Sequence, residues 1–350
     1  MNFPICILEV LVCFSLILWK KEKMYLYLAF TLLFFFYVFK DPLTLPDGSV
    51  YLDVFNMIKV STFDAVWNWN IGYKIELGYR LYSKLVSLIC GVPLFFYFCN
   101  ALVILTGPCV LIKRYSNWKS ISVIFFFLFG YISGLGLIRQ FMAYSIIYFA
   151  LPYVINRDWK KFLFVLFIAC NIHNSAFVYL VVYLLYGLSG RKFWLFLIIT
   201  SLFVLLFFSS LQGYVGDGYK DYLDSSYSTI GQFVAMSAIV LLRVFVMKNK
   251  LLENGINKLS TIITLLALVA SLYGCLLPGM WYRLIGYFSI YTVFITLPNT
   301  IQYINNNIIK KSVMLVFLFI YFYLFYAGLQ DTEYEYKLIF DSPYSMSQVF

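Results

Sequence analysis

Residues 120–155 read SISVIFFFLFGYISGLGLIRQFMAYSIIYFALPYVI, two apolar runs that meet at Gly134-Leu135-Gly136-Leu137-Ile138-Arg139-Gln140. As a helix, each run is long enough to cross a ~30 Å hydrocarbon core. Arg139 is the only charged residue in the stretch. An arginine at the centre of a membrane helix costs at least ~2.5–3.5 kcal/mol, so an unpaired one is not expected without a role. The stretch predicts two helices, at about 120–138 and 140–155, running out and back with a cation at their outer junction.

The same pattern recurs from Asn2 to Gln330, in a chain that is 63% hydrophobic and 12% charged. Soluble domains carry roughly 25% charged residues. A spanning barrel would show alternating ten-residue segments, and these are absent. The reading is an all-α, polytopic transmembrane helix bundle of about 10–12 helices, forming one membrane domain, with the lipid bilayer as its surroundings. The net charge of +10 fits the positive bias of cytoplasmic loops, and no nucleic-acid partner is expected. Cys6, Cys13, Cys90, Cys99, Cys109, Cys170 and Cys275 form no C-x-x-C pair and read as small apolar residues. In the first segment the charges Lys20, Lys21 and Lys23 follow the apolar run rather than precede it, so it is expected to be retained as a helix.

Most of the basic residues fall in short clusters at Lys20–Lys23, Lys113–Lys119, Arg157–Lys161, Arg191–Lys192, Lys248–Lys258 and Lys310–Lys311. Placing all of them in the cytoplasm puts the N-terminus outside and leaves outer loops at about 40–75 and 211–230, with an outer tail at 330–350. Two places break the parity of this path. Residues 76–91 carry Glu76, Arg80, Ser83, Lys84 and Ser87 on one helical face and Leu77, Leu81, Leu85 and Leu88 on the other, the pattern of a helix lying in the interface. Residues 162–187 are long for one crossing and short for two, which predicts a broken or re-entrant helix pair meeting near Asn171, Ile172, His173 and Asn174.

The charges that topology leaves unexplained gather on the outer side: Asp47, Asp53, Glu76, Arg80, Arg139, His173, Arg283 and the group Asp217, Asp221 and Asp224. Arg139 suits a phosphate clamp, since a guanidinium matches phosphate bidentately; the plainer alternative is a snorkelling cation paired to a carboxylate. The same two readings apply to Arg283, which follows Tyr282 at the start of an inward helix. His173, the only histidine, could act as a general base, orient a hydroxyl, or be a buried hydrogen-bonder. Glu76 could simply favour the start of its helix. Asp47 and Asp53 could be solvated loop residues, and the later aspartates a solvated surface. No Walker loop, H-E-x-x-H, G-x-S-x-G or D-x-D pair occurs, which removes support for ATP hydrolysis, zinc proteolysis and metal-dependent sugar-nucleotide transfer.

The order Glu76-Leu77-Gly78-Tyr79, Ile138-Arg139-Gln140 with Ala143, His173-Asn174-Ser175-Ala176, Tyr282-Arg283 and Pro343-Tyr344 resembles the EpsG family of bacterial polysaccharide polymerases, functional relatives of the Wzy O-antigen polymerases. The resemblance implies polymerisation of an undecaprenyl-diphosphate-linked oligosaccharide at the outer face of the inner membrane, with no cofactor and no metal. It implies that Arg139 and Arg283 hold the diphosphate, that Glu76 or His173 accepts the acceptor's proton, and that Arg80, Gln140, Asn174, Asp53 and Tyr282 contact substrate. A chain-length regulator and a flippase are the protein partners it suggests. The loose aspartate spacing of the first outer loop departs from the family pattern. A flippase for the same lipid, a glycan ligase and an O-acetyltransferase are the rival readings.

Overall fold

The computed structural model describes residues 3–18, 20–45, 47–69, 73–212, 229–248, 250–253, 255–276, 281–331 and 336–341, with 347 and 349. Among them the regular structure is helical, and the one β-type pairing is an isolated antiparallel bridge between Lys40 and Leu338. By length and composition, six helices can cross a membrane: Pro93–Tyr115, Lys119–Gly136, Ile230–Met247, Ile256–Cys275, Leu284–Gln302 and Asn307–Leu329. Shorter apolar helices lie at Pro4–Ile17 and Asn174–Tyr186. The protein is a polytopic, all-α membrane protein; helices are the form in which an apolar chain satisfies its own backbone without water.

Two compact units form, the first from Met1–Leu151, Lys160–Phe177 and Phe317–Phe350, the second from Pro152–Trp159 and Val178–Val316. In the first, α1 (Phe3–Ile17) and α2 (Glu22–Val38) are followed by α3 (Gly48–Val60) and α4 (Phe63–Trp67), both inside the stretch expected to be an outer loop. The structure adds that this stretch contains helices. On α3, Tyr51, Leu52, Val54, Phe55 and Ile58 are buried, close to the three- and four-residue spacing of a helix face. The ring of Phe55 stacks on Phe96 at 4.4 Å between centroids, and Tyr51 meets Tyr79 edge-on at 6.0 Å.

Helix α5 (Leu77–Ile89) is the amphipathic segment, and its 13 residues are too short to span. Its polar face is taken up by the neighbouring helix ends. The Lys84 ammonium donates to the carbonyls of Ile58, Lys59 and Ser61 at 3.3, 3.1 and 2.6 Å, closing the C-terminus of α3. Arg80 donates from Nη1 to the carbonyls of Val66 and Trp67 at 2.6 and 3.3 Å, doing the same for α4. Leu85, Leu88 and Ile89 are left exposed, as an interfacial helix requires.

Helix α6 (Pro93–Tyr115) contains Pro108, and α8 (Ile138–Tyr148) locks onto it just upstream. The Ser145 hydroxyl accepts from the Gly107 N–H at 2.9 Å and donates to the Val103 carbonyl, inserting into the i→i−4 ladder. A Cβ on Gly107 would lie 2.4 Å from the Ser145 carbonyl oxygen, so only glycine permits this approach. Between α6 and α8 runs α7 (Lys119–Gly136), with a π turn at Phe127–Tyr131. The chain breaks at Leu137, φ −81° and ψ 57°, and Arg139 lies in the first turn of the next helix. After α9 (Leu151–Ile155), α10 (Trp159–Ile172) ends at His173, and a 3₁₀ turn at Asn174–Val178 follows. The predicted break near Asn171–Asn174 is therefore present.

The second unit contains α11 (Tyr179–Tyr186), α12 (Gly190–Gln212), α13 (Ile230–Met247), α14 (Ile256–Leu276) and α15 (Trp281–Tyr291). The Tyr179 hydroxyl donates to the Tyr287 carbonyl at 2.8 Å, and the Ser260 and Tyr291 hydroxyls meet at 3.1 Å. A final helix, α16 (Asn307–Asp331), is divided between the units, its residues from Phe317 on belonging to the first.

Candidate functional site

Three residues far apart in the sequence meet at the start of α5. Glu76 occupies the N-cap position with extended backbone, φ −62° and ψ 144°, but its side chain makes no cap hydrogen bond. The carboxylate turns away from its own helix instead. Its Oε1 sits 3.1 Å from His173 Nδ1 and accepts the backbone N–H of Asn174, also at 3.1 Å. Its Oε2 accepts from Arg139 Nη1. The three side chains keep modest access to solvent, 20% for Arg139, 11% for Glu76 and 14% for His173.

Close approach of two backbones brings the partners together. Gly78, in the first turn of α5, packs on the C-terminal end of α10, where an added Cβ would lie 2.6 Å from Asn171 Cβ and 2.7 Å from its carbonyl oxygen. A Gly78→Ala protein is expected to fold with α5 pushed off α10, so the Glu76–His173 hydrogen bond is lost. Its thermal unfolding should resemble that of His173→Ala combined with Gly78→Ala, showing that little coupling remains between the two sites.

Arg139 is held on several sides. Its Nε donates to the Tyr51 hydroxyl at 3.4 Å, and Nη1 donates to the Lys74 carbonyl at 3.2 Å as well as to Glu76. The guanidinium carbon lies 5.9 Å from the centroid of the Tyr51 ring. Of the five N–H groups of this guanidinium, the two on Nη2 meet no acceptor among the described residues. The plainer of the two sequence readings, a cation paired to a carboxylate, is thus realised on one edge of the arginine, and the other edge stays available to a ligand.

The electrostatics of the cluster distinguish Glu76 from His173. Burial raises the pKa of Glu76, but the hydrogen bond from His173 and the charge of Arg139 outweigh it and bring the pKa from 4.5 to about 2. An ionised carboxylate only accepts, so His173 Nδ1 carries the proton, and in the neutral imidazole Nε2 is then the nitrogen with the lone pair. Glu76 is a weak base with both oxygens engaged, whereas His173 presents a basic nitrogen oriented from behind. A depressed carboxyl pKa contributes stability that is complete above the unfolded value, here 4.5, and disappears as pH falls toward 2. The wild-type protein is accordingly expected to be more stable than Glu76→Gln at pH 6 by on the order of 3 kcal/mol, with the gap narrowing below pH 4.5. Thermal unfolding in detergent across this range checks it; a gap that does not change with pH would mean the carboxylate adds nothing.

The remaining sequence candidates lie elsewhere or act differently. Gln140 is buried and donates to the Tyr144 hydroxyl on its own helix. Asn174 is exposed and enters through its backbone N–H. Arg80 closes α4, as described above. Asp53 is exposed on α3, and Asp47 precedes that helix in a left-handed conformation, φ 55°. Tyr282 and Arg283 begin α15, but their side chains lie outside the described residues, as do Pro343-Tyr344 and Asp217, Asp221 and Asp224. Two contributors escaped the sequence reading: Tyr51 and the Lys74 carbonyl. Tyr51 could have been found from its place on the buried stripe of α3, whereas nothing in the sequence marks a backbone carbonyl.

The model of the EpsG family matches residues 23–340 of the chain. No curated protein and no solved structure matches it.

Proposed function

We propose that this chain, which belongs to the EpsG family of polysaccharide-related multi-pass membrane proteins, is a glycosyltransferase. It would join undecaprenyl-diphosphate-linked oligosaccharide repeat units at the extracytoplasmic face of the bacterial inner membrane. The observation that carries this reading is the single carboxylate of Glu76, which holds both His173 and Arg139 where the amphipathic helix α5 begins.

His173 Nε2 takes the proton of an acceptor hydroxyl as that oxygen bonds to the anomeric carbon of the donor. The bond from the anomeric carbon to the diphosphate oxygen breaks, and its electron pair leaves with the lipid diphosphate. The free N–H groups of Arg139 Nη2 donate to the diphosphate oxygens as charge develops there, and this stabilises the transition state more than the ground state. Glu76 keeps the imidazole in its productive tautomer and faces the imidazolium that forms. The glycosyl–phosphate bond supplies the driving force, so the proposed transfer uses no nucleotide.

The test is extension by purified full-length protein of a synthetic undecaprenyl-diphosphate repeat unit, read as a gel ladder. A ladder that grows by whole repeats is expected. If the cognate repeat yields no ladder while the protein carries it across a proteoliposome membrane, the flippase reading replaces this one.

A further inference from the structure

In the second unit, Arg243 lies near the end of α13 and is only 3% exposed. Its Nε donates to Thr261 Oγ1 at 3.0 Å, Nη1 to Thr300 Oγ1 at 2.9 Å and Nη2 to the Asn257 carbonyl at 2.8 Å. All three acceptors are neutral. Among the described residues no carboxylate pairs with this guanidinium, and one N–H on each terminal nitrogen meets no acceptor. A buried charge without a counter-charge is costly, so an anion is the missing partner.

Arg243 lines a cavity of about 210 Å³ whose walls include Trp194, Val240, Leu251 and Leu265, and Lys248 lines it too. Two cations in an apolar wall suit a ligand with an anionic head and a hydrocarbon tail. The cavity lies at the end of α13 where Lys248, Lys250 and Lys258 gather, the end that the positive-charge bias assigns to the cytoplasm. Basic pockets between helices at that level recognise anionic headgroups, and an arginine fork matches a phosphate.

We propose that this cavity binds an anionic phospholipid, its phosphate against Arg243 and Lys248 and part of an acyl chain between Val240 and Leu265. The site is independent of glycosyl transfer and ties α13 to the start of α14 through the lipid as well as through Thr261.

Thermal unfolding of the full-length protein in neutral detergent tests this, with phosphatidylglycerol, phosphatidylcholine and inorganic phosphate as separate additions. Phosphatidylglycerol alone is expected to raise Tm. Lys248→Gln should weaken that response about fivefold in apparent affinity, and Val240→Trp, which fills the cavity, should abolish it. Both variants leave Arg243 in place, so the test does not depend on whether Arg243→Gln folds. An equal response in wild type and both variants would mean the lipid acts only at the general protein–lipid boundary and overturns the proposal. A response to inorganic phosphate of the same size would overturn it in favour of a free-anion site.

Discussion

Glu76→Gln is expected to slow glycan extension by on the order of 10³-fold while leaving KM for the lipid-linked repeat nearly unchanged. The substitution preserves shape and removes only charge. An amide that keeps its oxygen toward His173 must turn its NH₂ toward Arg139, where the carboxylate Oε2 now accepts. An amide that keeps the arginine must aim its NH₂ at Nδ1, which forces the proton onto Nε2 and removes the base. Either arrangement also leaves the imidazolium without its facing negative charge, a cost met only in the transition state. Steady-state kinetics of the extension reaction separate the two parameters. A rise in KM with unchanged kcat would show that Glu76 serves binding alone.

Arg139→Lys is expected to lower kcat by about 10²-fold, the factor attached to losing one well-placed donor to a developing oxyanion. An ammonium can replace the bond to Glu76 but cannot at the same time reach the Tyr51 hydroxyl and the Lys74 carbonyl and present a free edge to a diphosphate. Arg139→Ala should additionally destabilise the fold by about 1–3 kcal/mol, because the Glu76 carboxylate then keeps its burial and loses a partner. The check is kcat by gel ladder beside Tm for each variant. Equal activity of the lysine variant and wild type would remove the directional role of the guanidinium and leave a requirement for charge alone.

The helical bundle was legible because hydrocarbon imposes one solution on long apolar runs. The break at His173 was legible for a related reason: residues 162–187 fit neither one crossing nor two. Helix α3 was hidden because Asp53, Asn56 and Lys59 interrupt its apolar positions, and the parity of the path treated the whole of 40–75 as a connection. Its buried stripe through Tyr51, Phe55 and Ile58 shows only when helical spacing is examined inside that loop.

The site was legible residue by residue but not as an assembly. Glu76, Arg139 and His173 stand out because ionisable groups are rare beside apolar helices. That they meet depends on pairings across 63 and 97 residues and on the contact of Gly78 with Asn171, whose small size signals a close approach without naming the partner. The proposed choice of base, open in the sequence, rests on geometry: both oxygens of Glu76 are engaged, and Nε2 of His173 takes no part in that bonding. Gln140 illustrates the opposite case, a motif neighbour of Arg139 whose side chain faces the interior.

The most direct measurement is chemical rescue of His173→Ala. The rate of extension of the lipid-diphosphate repeat is followed with increasing imidazole, beside Glu76→Ala and Arg139→Ala controls of verified folding. His173→Ala alone is expected to lose about 10²–10⁴-fold in kcat and to recover with imidazole in proportion to its neutral form, while both controls stay inactive. Extension by His173→Ala at the wild-type rate, without any added imidazole, would contradict the assignment of this histidine as the base.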